Sequence, residues 1–207
     1  MPDRPTTMRP MQETTELIET LMQSRQTILP KRLSAPGPDA AQLQQIVAAA
    51  AHAPDHGQLL PWRFVLIPDA ARAALGDAFA AALLERDADA LPEQVEQARE
   101  KAFRAPLLML LVVQDVRGDA DIDFSERVIS AGCAVQNMLL MATALGFGSA
   151  LTSGKALKSH SLRTLFALQP DEHALCFVSL GTATRSKPAR TRPTVAQYLS
   201  TFQAPTP

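Results

Sequence analysis

Long apolar runs are missing from this 207-residue sequence. The main uninterrupted apolar stretch, residues 106–113, is far too short to span a bilayer. The N-terminal residues, MPDRPTTMRPMQETT, are polar and proline-containing, with no apolar core of a signal peptide. Charge of one sign is missing too. Twenty basic residues face 21 acidic ones, a net charge of −1, which gives no electrostatic grip on nucleic acid or an anionic membrane. Aromatic residues are 5% of the chain, too few for stacking platforms on single strands. Cysteine occurs twice, as Cys133 and Cys176, each among apolar neighbours. They read as small buried hydrophobes, not as a disulfide or a metal site. There is no G-x-S-x-G elbow, no P-loop and no G-x-G-x-x-G fingerprint. Gly146-Phe147-Gly148 lacks the third glycine and follows a helical pattern. These absences point to a cytoplasmic protein with no nucleic-acid or membrane partner and no persuasive nucleophile of its own.

What is present reads as one α+β domain. Hydrophobic residues are 46% and charged residues 20%, ordinary for a globular chain able to bury a core. Residues 1–12 read as a disordered leader, and residues 13–207 as a single domain with an extended C-terminal tail. Leu17, Leu21 and Met22 predict a first helix over residues 13–25. Residues 26–38 read as a loop. Asp39 reads as the N-cap of a second helix that stops before Pro54, and Asp69 as the cap of a third. A charged helix follows Pro92. Residues 107–113, LLMLLVV, predict a central strand covered on both faces. Residues 124–145 read as a long helix, apolar nearly all round, whose Ser130, Ala131, Gly132 and Ala134 permit close approach of another helix. Strands are expected at residues 63–67, 149–152 and 174–180, with a short helix at 162–168. Helices outnumber strands, which predicts a mixed central sheet wrapped by helices.

The most informative stretch is AAAAHAPDHGQLLPWRFVLI, residues 48–67. Its loop, residues 55–60, is pinned by Pro54 and Pro61, and a short loop held that rigidly is a place where function sits. His52 and His56 do not form a metal pair, because Pro54 lies between them and no third ligand is evident. His52 by itself reads equally as a helix-terminal cation. Arg25 likewise reads as a cation at an exposed helix C-terminus, and Arg190 and Arg192 as a solvated basic tail.

Four blocks occur in an order that resembles the FMN-dependent nitroreductase family, and its short bacterial subgroup in particular. They are Arg25-Gln26-Thr27, the loop and strand APDHGQLLPWRF, the helix and turn SAGCAVQNMLLMATALGFGSALTSG, and VSLGTATRSKPARTRP. The resemblance covers residues 17–202. It implies a nitroreductase-like fold with a flavin cleft at the interface of a homodimer. By that resemblance Arg25, Gln26 and Thr27 meet the phosphate, ribityl chain and pyrimidine edge of FMN. His52, His56 and Gln58 come to the flavin from the partner subunit. Leu151, Thr152 and Ser153 approach its reactive edge, and Arg190 or Arg192 supplies the C-terminal phosphate contact. Leu60 departs from the family's common glutamine before Pro-Trp and implies a more apolar substrate pocket. Leu151-Thr152 departs from a Trp-Arg pair seen in some short members.

The implied activity is ping-pong oxidoreduction. NADH or NADPH donates electrons through FMN to a small-molecule acceptor such as a nitroaromatic or a quinone. A flavoenzyme needs no protein nucleophile, because the cofactor carries the chemistry and the protein binds and tunes it. Other flavin chemistry on the same fold, as in dehydrogenases, dehalogenases or flavin destructases, and a non-catalytic flavin-binding role stand as alternatives.

Overall fold

The structure, a computed structural model, describes residues 12–185 and 190–204. Residues 1–11 of the expected leader lie outside it. Helix α1 (Gln12–Ser24) opens the described chain, and a 3-10 turn and the short strand β1 (Leu33–Ser34) occupy the segment expected to be loop. Helix α2 (Ala40–Ala48) starts as expected. Asp39 accepts the Gln42 amide at 2.8 Å while the Gln42 side chain accepts the Asp39 amide at 3.0 Å, a reciprocal capping box. A 3-10 turn (Ala49–His52) carries the chain to Pro54. Asp69 is not the expected cap. It lies inside the 3-10 turn Asp69–Ala71 ahead of α3 (Arg72–Leu84), and its carboxylate faces the buried Arg72 electrostatically.

The sheet is built on β5 (Glu172–Ala183), which pairs with β3 (Leu107–Gln114) along one edge. Along its other edge β5 pairs with β4 (Gly148–Thr152) and then with β1. Strand β2 (Trp62–Leu66) pairs with β3 at the far side. The expected mixed sheet is corrected here. Every ladder between named strands is antiparallel, and among the described residues parallel pairing is confined to one bridge between Thr27 and Ser149. Connections explain this. The segment carrying α3 and α4 (Pro92–Arg99) returns the chain to the end of the sheet where β2 finished. Helix α5 (Phe124–Ala144), 21 residues and so about 31 Å long, carries it back along the sheet between β3 and β4. Those two strands run the same way, but β5 lies between them.

Strand β3 is buried along nearly its whole length, as its continuous apolar sequence requires. Leu107, Met109, Leu111 and Val113 pack toward α2 and α5, whereas Leu108, Leu110 and Val112 pack toward α3 and α6 (His160–Leu165). As expected, the small residues of α5 admit another helix. Ala131 and Ala134 share a buried cluster with Ile46 of α2 and Ala50 of the turn that follows it, and the buried Ser130 Oγ accepts the Trp62 Nε1–H at 3.0 Å. Ile129 and Gly132 remain exposed on its outer side.

Candidate functional site

Residues 25–31 run beside β4. Thr27 bridges Ser149 in parallel, and the Ile28 amide donates to the Ser149 carbonyl at 2.8 Å. This places Arg25 toward the start of β4 and Lys31 toward its end. The C-terminal segment comes back to the same place, where Arg192 Nη2 donates to the Arg25 carbonyl at 3.2 Å. Burial first, then the charges of Arg192 and Arg190, hold the Arg25 guanidinium below its ordinary pKa. Three guanidiniums thus share one neighbourhood. Among the described residues none of the three pairs with a carboxylate.

Beyond the end of β4 opens a cleft of about 640 Å³. Leu29, Pro30 and Lys31 form one wall, Thr152, Ser153 and Gly154 another, and Gln94, Gln97 and Lys101 a third. Its floor is apolar, with Phe79, Leu108 and Phe177 among the lining side chains. Thr152 points into this side because it shares a sheet face with Phe177. Leu151 lies on the opposite face with Val178, toward α5, and is 43% exposed.

The loop at residues 55–60 stands elsewhere. Strands β2 and β4 are separated by β3 and β5, three spacings of about 4.8 Å each. His52, His56, Gln58 and Leu60 are all exposed in the single chain. The loop is nevertheless fixed. Asp55 Oδ2 accepts the Leu60 amide at 2.7 Å, and His56 Nδ1 lies 2.8 Å from Glu126 Oε2 on α5. Gly57, Gln58 and Leu60 all have positive φ, at 67°, 53° and 47°. Left-handed backbone at two non-glycine residues stores strain, and such strain clusters at functional sites.

The structure therefore divides the sequence candidates. Arg25, Gln26, Thr27, Thr152, Ser153, Arg190 and Arg192 converge along β4. His52, His56, Gln58 and Leu60 sit at the other side of the sheet, and Leu151 faces α5. Sequence reasoning missed the α4 wall. The signal was available, since Gln94, Gln97 and Lys101 recur at the three- and four-residue spacing of one helical face. Both cysteines are free. Burial pushes the Cys176 thiol up to about 11, which keeps it protonated. Among the described residues no cluster of His, Cys, Asp and Glu has the makings of a metal site, and no helix is long and apolar enough to cross a membrane.

Comparison with known proteins supplies the family. A Haemophilus influenzae protein, provisionally named an NAD(P)H nitroreductase, is 34% identical over 152 residues, 73% of this chain and 82% of its own length. The crystal structure of a nitroreductase-like family protein from Bacillus cereus superposes with a TM-score of 0.76 at 16% identity, over 90% of this chain and 96% of that one. A nitroreductase with bound FMN from Bacteroides fragilis gives a TM-score of 0.68 at 17% identity, over 90% and 98%. These two likenesses show the α+β fold. The model of the nitroreductase family matches residues 22–182, and with these relatives it establishes that the chain belongs to that family.

Proposed function

We propose that this chain is an FMN-dependent oxidoreductase. In this reading it takes electrons from NADH or NADPH and passes them, in ping-pong fashion, to a nitroaromatic, a quinone or a similar small acceptor. It works as a homodimer in the cytoplasm, where reduced nicotinamides are supplied. Family membership and the NAD(P)H nitroreductase names of its relatives support the general class.

One observation carries the cofactor assignment. Arg25, Arg190 and Arg192 converge beside a hydroxyl-bearing segment toward the start of β4, with no carboxylate paired to them among the described residues, and a cleft with an apolar floor opens beyond the other end of the strand. The donor set fits FMN. Forked guanidiniums suit a phosphate dianion, and an apolar slot with polar edges suits a flat heteroaromatic ring. Arg25 and one or both tail arginines would hold the phosphate. Gln26 and Thr27 would meet the ribityl chain and ring edge, and Thr152 and Ser153 would border the ring. When bound, FMN supplies a centre that accepts and releases a hydride equivalent. The chain orients it, excludes bulk water and offers one cleft, which donor and acceptor occupy in turn.

The homodimer is proposed on exposed apolar surface. No residue of α1 is buried, although Leu17, Ile18 and Met22 lie on it, and Ile129 on α5 is 64% exposed. A second chain covering these faces would also bring its His52, His56, Gln58 and Leu60 to a cleft they do not reach within one chain.

The absorption spectrum of the purified protein tests the reading. A yellow protein that releases FMN on denaturation and is bleached by NADH or NADPH is expected. A colourless protein that cannot be reconstituted would overturn the assignment. Bound flavin inert to both nicotinamides would make the chain a carrier.

A further inference from the structure

From the charges around the cleft we infer that it is built to take an anionic substrate. This rests on the oxidoreductase reading above and narrows its substrate class. Five cations line the cleft: Lys31, Arg86, Lys101, Arg104 and Lys155. Among the described residues no aspartate or glutamate lines it, in a chain whose basic and acidic residues number 20 and 21. The imbalance is local, and it is arranged.

Three acidic groups of the surrounding helices are engaged elsewhere. Glu85, next to Arg86, accepts the His160 and Ser161 amides at 3.0 and 2.8 Å and the Ser161 hydroxyl as well. Those bonds hold its carboxyl below the usual range and direct it at the start of α6. Asp77 and Glu96 both pair with Arg99, which does not line the cleft. Among the described residues, none of the five lining cations is ion-paired. All five are exposed, so each can reach a ligand without leaving a buried partner.

A concave wall of one sign focuses field and raises the local concentration of the opposite charge. The apolar floor of Phe79, Leu108 and Phe177 adds a surface for a ring. Ring body and anionic substituent together describe the ligand. The anion has two sources in this chemistry, the 2′-phosphate of a nicotinamide donor or the carboxylate of an aromatic acceptor. Leu60 is not among the lining residues, so within one chain its apolar character does not set the charge preference.

Calorimetric titration of the protein as purified separates these cases. The probes are 2′,5′-ADP against 5′-AMP, and 4-nitrobenzoate against nitrobenzene. The more anionic member of one pair is expected to bind at least about tenfold tighter, the scale of one charge-assisted contact. The doubly substituted Arg86→Gln, Lys155→Gln chain is expected to lose that preference while keeping its fold and its flavin. Preference in the nucleotide pair assigns the anion to the donor, and preference in the nitro pair assigns it to the acceptor. No preference in either pair, or a preference that survives in the variant, overturns the inference. If the variant sheds FMN instead, Arg86 or Lys155 serves the cofactor and not the substrate, and the inference also falls. Flavin content of the unsubstituted protein, read separately from its spectrum, reports on the oxidoreductase reading alone.

Discussion

Arg25 is where several forces meet. It stands just beyond α1, partly buried, with two further arginines close enough to lower its pKa. Like charges held together are a cost to the free protein and an asset once an anion arrives. Arg25→Ala should therefore weaken FMN binding by about 1.5–3 kcal/mol, the scale of a hydrogen bond to a charged group. Titration of apoprotein with FMN measures it, and unchanged affinity would remove Arg25 from the site. Glu172 gives a second prediction, this time about stability. It is 4% exposed, and both its oxygens accept from Arg63, at 2.8 and 3.1 Å. The Arg63 hydrogen bond, opposed by burial and helped by the Gln169 amide, holds its pKa below the ordinary value. A depressed carboxylate pKa adds stability that is complete above the unfolded value, about 4.3, and is lost as pH falls through the folded one. The stability advantage over Glu172→Gln should thus be full at neutral pH and shrink on acidification. Urea unfolding of both proteins across pH 3–7 would show it, and a pH-independent difference would sink it.

At the scale of elements, the loop at residues 55–60 depends on Asp55. Its carboxylate accepts the Leu60 amide where Leu60 is held at φ 47°. Asp55→Ala removes that anchor from a strained turn. A loss of about 1 kcal/mol in unfolding free energy is expected, together with faster release of bound flavin. If stability falls but flavin release does not change, the loop lies away from the cofactor. The loop itself was legible in the sequence, because two prolines bracket it and chain entropy leaves little choice. So were the N-cap at Asp39 and the buried strand β3, each set by local chemistry. The antiparallel ladders were not, since strand direction depends on where a connection returns and no local pattern encodes that. The Asp69 cap failed for a related reason. Its carboxylate serves Arg72 instead, whose guanidinium is buried and donates to the carbonyl of Ala102. The cleft's α4 wall was spelled out as a helical stripe, yet a polar stripe carries no mark of what it faces.

At the scale of the whole molecule, one geometric fact decides how the site is assembled. The β4 group and the loop at residues 55–60 sit on opposite sides of the sheet, so one chain does not bring them together. A two-fold homodimer would join the Arg25 side of each chain to the loop of its partner, and this has a consequence that a one-chain site lacks. Consider a heterodimer of an Arg25→Ala chain and a His56→Ala, Gln58→Ala chain. If sites are shared, one site receives every substitution and the other receives none, so each heterodimer keeps one intact site. If each chain builds its own site, both sites are damaged. Co-expression with two affinity tags isolates the heterodimer, and each homodimeric variant serves as the control. About half the FMN content of the unsubstituted dimer is expected, against little in either control, because an isologous interface repeats the same contact twice. A heterodimer no richer in flavin than the controls would show that the loop serves its own chain.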